Sequence, residues 1–137
     1  MGAKNVMNIH KWIYNKLSNA AAVTTIAGTR ISPNIINEGD DLPAITYQTI
    51  SADPQDTKDG NSTLDIVTVD VDLFGEVFDT LQTLATAVNA AIERVTGTAE
   101  STTIVGCRKI GYRDDYSEVT QKGIFHIILT YNFMVKI

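Results

Sequence analysis

Two carboxylates spaced for shared work stand out first: Asp70-Val71-Asp72 places acids at i and i+2, on one face of a strand, where they could share a divalent ion. No third ligand accompanies them, so a solvent-facing strand is the plainer reading. The polar run from Asp53 to Ser62 has some look of a calcium loop. With Gly60 set at the loop's required glycine, however, Gln55 and Thr57 stand where acids belong, and Ile66 replaces the bidentate glutamate. His10 and His126 have no second His, Cys or acid at a metal-ligand spacing, which points to packing or interface roles. Cys107 beside Arg108 reads as a semi-buried structural thiol, and a single cysteine excludes an internal disulfide. Nucleophile elbows, phosphate-binding glycine loops and zinc-protease motifs are absent from the sequence. The expectation is a protein that is not an enzyme and carries no cofactor.

The elements that must hold these residues can be read from periodicity. Ile9, Trp12, Ile13, Lys16 and Leu17 recur at helical spacing after Asn8, a good N-cap, and a short apolar segment, Ala20 to Ala27, stops at Gly28. Arg30 to Ile36, with Pro33, suits a short edge strand or arm. Ala44 to Ser51 alternates as a strand, and so does Leu64 to Phe74, with Val67, Val69, Val71 and Leu73 on one face. Leu64 and Ile66 are out of phase with that set, which predicts a bulge or a two-sided strand start. A helix is predicted over Val77 to Val95, with Phe78, Leu81, Val88 and Ile92 along its stripe and Gly97 as its stop. A polar loop from Thr98 to Thr103, a strand from Ile104 to Arg113, a turn region from Asp114 to Gly123 and a long final strand from Ile124 to Lys136 complete the chain. The class is α+β: an antiparallel or mixed four- to five-stranded sheet, with one long and one or two shorter helices packed on one face.

The chain has 137 residues, 44% of them apolar and 20% charged, which fits one soluble domain over residues 1–137 with a long polar hairpin loop at about 53–62. No apolar run is long enough to span a bilayer as a helix, and no secretory leader pattern opens the sequence, so an intracellular origin is expected. The net charge of −5 is unevenly spread: residues 1–37 carry four bases and no acid, whereas residues 38–79 carry eleven acids against Lys58 alone. Such a segment repels phosphate rather than binding it.

Two features lack an internal purpose. The loop holds no large apolar residue and is about twice the length a hairpin requires. It marks Asp53, Pro54, Gln55, Asp56, Lys58 and Asp59 as subunit-interface candidates. The second face of the final strand is half-apolar and wants a cover, which adds Ile128 and Met134.

In its order of segments the chain resembles the bacteriophage tail terminator, or tail-completion, family. The resemblance runs from the helix Ile9 to Leu17 through Ile26-Ala27-Gly28-Thr29-Arg30-Ile31-Ser32-Pro33 and Leu42-Pro43-Ala44-Ile45-Thr46-Tyr47-Gln48. It continues through the strand ending Val69-Asp70-Val71-Asp72-Leu73-Phe74-Gly75, the long helix, and a last strand entered by Gly123-Ile124-Phe125-His126. Phe74 stands where many members carry Trp. The resemblance implies a structural virion protein at the head–tail junction, assembled in the host bacterial cytoplasm. It implies a homo-hexameric ring that halts tail-tube polymerisation and presents a joint to the head connector. The implied partners are further copies of itself, the tail tube protein and the head–tail connector protein, with DNA passing through unbound and Asp70 and Asp72 as lumen-facing acids. Alternatives are another phage neck protein, such as a head–tail adaptor, and a small metal-dependent hydrolase using Asp70 and Asp72.

Overall fold

The computed structural model describes residues 9–33, 42–54, 64–119 and 122–136. In chain order they form α1 (Ile9–Ser18), α2 (Ala21–Ala27), β1 (Ile31–Pro33), β2 (Ala44–Pro54), β3 (Leu64–Gly75), α3 (Phe78–Ile92), β4 (Gly97–Ala99), β5 (Thr102–Val119) and β6 (Lys122–Lys136). The class is α+β as expected, but the sheet has six strands rather than four or five, in the order β1-β2-β3-β6-β5-β4. Only β1 and β2 pair in parallel, so the sheet is mixed.

Alternation explains the core. Val67, Val69, Val71 and Leu73 of β3 stand beside Phe133, Tyr131, Leu129 and Ile127 of β6, and all are buried. The three helices lay their stripes on this face: Ile9, Trp12, Ile13 and Leu17 from α1, Val23 and Ala27 from α2, and Leu81, Leu84, Val88 and Ile92 from α3. Trp12 is wholly buried, with its Nε1–H donating to the Gly97 carbonyl at 3.2 Å and its ring edge-on to Phe133. Arg30 secures the turn out of α2, since its guanidinium donates to the carbonyls of Ile26 and Pro43.

Five details depart from the sequence expectation. The bulge lies on β2, where Ile50 is the extra residue between Thr49 and Ser51; β3 runs unbroken, with Leu64 and Ile66 turned away from the helices. The strand β2 continues through Asp53 and Pro54, which therefore lie in the ladder opposite Ile66 and Asp65. The long helix stops at Ile92, not Val95, because Arg94 takes a positive φ of 62° and its N–H leaves the helix for the Cys107 carbonyl at 2.8 Å. Thr98 to Thr103 is a small hairpin rather than a loop. Finally, the expected turn region is ladder over 114–119 and 122–123, where β5 pairs with β6 down to Val119 opposite Lys122.

Candidate functional site

The helix-free face of the sheet gathers the acids and the half-apolar residues of the last strand. Register places Asp70 between Gln48 and Thr130, Asp72 between Thr46 and Ile128, and Ile66 beside Met134. Asp53, level with Ile66, falls on the same face by alternation. Ile128 is only 7% exposed within its own chain, so little of it remains for a partner, whereas Met134 is 40% exposed. Gln55, Asp56, Lys58 and Asp59 lie outside the described residues. The described ones thus form a surface spread along the strands, not a pocket.

The electrostatics of this face are mixed. The Thr130 hydroxyl donates to Asp70 Oδ1 at 2.7 Å, and the Thr68 hydroxyl to Asn132 Oδ1 at 2.8 Å. Asp72 is four-fifths buried, with Oδ1 lacking a hydrogen bond and Oδ2 3.6 Å from His126 Nε2. Burial raises its carboxyl above the ordinary range; His126 offsets part of that, and the charge of Asp70 adds to it. The His126 ring stacks on Phe74 at 4.3 Å. Arg113, opposite Ile128 on β5, brings positive charge near Asp72, so the face is not uniformly acidic. Among the described residues no group of three His, Cys, Asp or Glu side chains could hold a metal ion. Cys107 is buried, and burial pushes its thiol up to about 12, far from a reactive thiolate.

A second region was not visible in the sequence. Near its start, β5 is closed on its outer side: β4 covers Thr102 to Ile104, Arg94 N–H reaches the Cys107 carbonyl, and Lys109 N–H reaches Glu93 Oε2 at 3.3 Å. Glu93 is held there by the Asn89 side-chain amide at 2.8 Å, and Asn89 Oδ1 accepts from the buried Tyr131 hydroxyl at 2.8 Å. The Asn89 bond is the chief reason the Glu93 carboxyl lies below its ordinary range. Beyond Lys109, β5 has no strand on its outer side among the described residues. Ile110, Tyr112 and Tyr116 are about half exposed there, at 50%, 49% and 50%. Beside them a cleft of about 340 Å³ opens against α3, lined by Gln82, Ala85, Thr86, Asn89, Lys109, Tyr112 and Leu129. The period-two spacing of Tyr112, Asp114 and Tyr116 was the available signal, and the Asp-Asp pair concealed it by resembling a turn.

The comparisons with known proteins agree with this architecture. The family model described as "Tail completion protein gp17" matches residues 11–136. The chain belongs to that family. No curated protein matches it. Among solved structures, a chain from "Virion of native gene transfer agent (GTA) particle" shares the fold with a TM-score of 0.75 at 16% identity. The match covers 98% of this chain and 99% of that one, so the family's segment order and this fold span nearly the same residues.

Proposed function

We propose that this tail-completion protein is a structural, non-enzymatic subunit of a phage tail. It closes the head-proximal end of the tail tube as a homo-hexameric ring, stops tube polymerisation, and offers a joint to the head connector. The family match over residues 11–136 carries this reading. Its site is a surface in keeping with that role: Asp53, Pro54, Gln55, Asp56, Lys58, Asp59, Ile128 and Met134 as subunit contacts, and Asp70 and Asp72 facing a lumen through which DNA passes. Phosphate finds little to neutralise it, since eleven acids oppose one lysine over residues 38–79. DNA affinity at physiological salt is expected at about 10⁻⁴ M or weaker, the non-specific range. A salt-sensitive micromolar affinity in a filter assay would remove the repulsive lumen from this picture.

Electron microscopy of the protein mixed with tail tubes tests the central claim. Caps on one tube end only, with tubes of limited length, are the expected result. Free tubes that continue to lengthen in its presence would refute termination, and capture of the head connector without tubes would instead identify a neck adaptor.

A further inference from the structure

Both ends of the sheet are guarded by very short strands, and each guards only part of its neighbour. β1 covers Ile45 to Tyr47 of β2, and β4 covers Thr102 to Ile104 of β5. Among the described residues no strand pairs with the outer side of β2 from Gln48 to Ala52, where the bulged Ile50 is 52% exposed, or with that of β5 from Ile110 onward. We infer that these two stretches are one seam: β5 of one copy, from Ile110 to Tyr116, adds as a strand to β2, from Gln48 to Ala52, of the next. This rests on the ring reading above and specifies its contact.

Strand direction favours a second copy of this chain as the occupant. β2, β3, β6 and β5 are linked by three antiparallel pairings, so β2 and β5 run in opposite senses. Rotation about a ring axis preserves those senses and brings β5 antiparallel against the next β2, the better-paired arrangement. The two open stretches also lie at opposite ends of the strands. Ile110 to Tyr116 sits at the end marked by Gly75 and Phe125, and Gln48 to Ala52 lies toward Leu64 and Lys136. Joining them staggers each copy along the strand direction, the offset that a closed sheet of tilted strands requires.

The edge itself is prepared for such a strand. Cys107 C=O and Lys109 N–H point away from β6, toward the Glu93–Arg94 turn. Backbone groups alternate sides along a strand, so with Ile110 bulged out the outward positions beyond are Tyr112, Asp114 and Tyr116. In keeping with that, Tyr116 N–H donates to the Asp115 carboxylate at 2.8 Å, a bond that an incoming carbonyl can replace. The edge displays Ile110 and two tyrosines interleaved with the exposed charges of Arg113, Asp114 and Asp115, so apolar contact area is offered between polar groups. Alternate side chains of the added strand would enter the cleft against α3, the usual division between main-chain affinity and pocket specificity.

Asp114→Pro tests the seam. It deletes an outward N–H and leaves the bonds to β6, so the free subunit should melt near the wild type while self-association falls at least tenfold. An independent readout is a mixture of Tyr112→Cys and Ile50→Cys subunits on tail tubes with a short bis-maleimide; Cys107 is buried and stays silent. Covalent dimers that need both variants are expected. Cross-links within Tyr112→Cys alone, or none at all, would overturn the seam, and this measurement decides should Asp114→Pro unfold. Tube caps without mixed cross-links would discard the seam and keep the ring; mixed cross-links without caps would keep the seam and discard termination; neither would discard both.

Discussion

The two faces of β3 and β6 are built from the same strands and obey different rules. On the helix side, Val67, Val69, Val71 and Leu73 meet Phe133, Tyr131, Leu129 and Ile127, and each is almost entirely buried. On the other side the alternating residues are Thr68, Asp70, Asp72 and Phe74, against Asn132, Thr130, Ile128 and His126. Their polar groups bond one another across the ladder where they can, and Asp72 is left with an unpaired oxygen. The first face carries the core; the second is a partly desolvated polar surface. One-residue alternation is enough to give two faces of the same strands different chemistry.

Substitutions on the two faces should therefore differ sharply. Val71→Asp, between the two natural aspartates, would bury an unpaired carboxylate under the helices and cost several kcal/mol, enough to abolish the cooperative urea transition. Should that variant fold normally, the assignment of faces would be wrong. Tyr131→Phe removes the donor to Asn89 and leaves its part-buried amide oxygen without that bond, for a loss of about 1 kcal/mol in the same titration.

Asp72→Asn is expected to act in the opposite direction, and only above a pH window. Because burial raises its carboxyl, the folded state holds the proton over a range where the unfolded chain has released it. The wild type thus loses stability as pH rises from the ordinary carboxylate range through that raised value. The asparagine variant lacks this fall. Its advantage, roughly 1 kcal/mol or less, should be visible in melts at neutral pH and vanish below pH 4. An advantage that persisted in acid would implicate packing instead. The smallest effect belongs to Gln82→Asp on the exposed side of α3, within about 0.5 kcal/mol; a loss comparable to Val71→Asp would mean that the helix is rotated from its observed register.

Much of the helix-covered half was legible from spacing alone. Ile9, Trp12, Ile13 and Leu17 gave α1, and the valines of β3 gave both a strand and its buried face, because burial leaves a periodic trace in residue type. Edges leave a weaker trace. Arg113, Asp114 and Asp115 are exposed on their strand, and charge also marks turns, so the expected hairpin begins six residues early. The stop of α3 was misplaced to Gly97 because the true breaker, Arg94, is set by a tertiary bond to Cys107 that no local pattern announces. Of the surface, Asp70, Asp72 and Met134 were found by alternation, and Ile128 was found but lies mostly within its own chain. The tyrosine edge was missed, since it depends on which strand fails to acquire a neighbour.

The placement of Trp12 has a consequence for biogenesis. Its indole rests on Phe133 and donates to Gly97, so the first helix is anchored by groups that are synthesised well after it. β3 pairs with β2 before it, but its other neighbour, β6, is made fifty or more residues later. Contacts of such long sequence separation are slow to form and cannot be made piecemeal. A nascent chain that has not yet made β6 has Trp12 without Phe133 and β3 with only one of its two neighbours. The sheet face that holds Asp70 and Asp72 therefore takes shape only once β6 has joined β3.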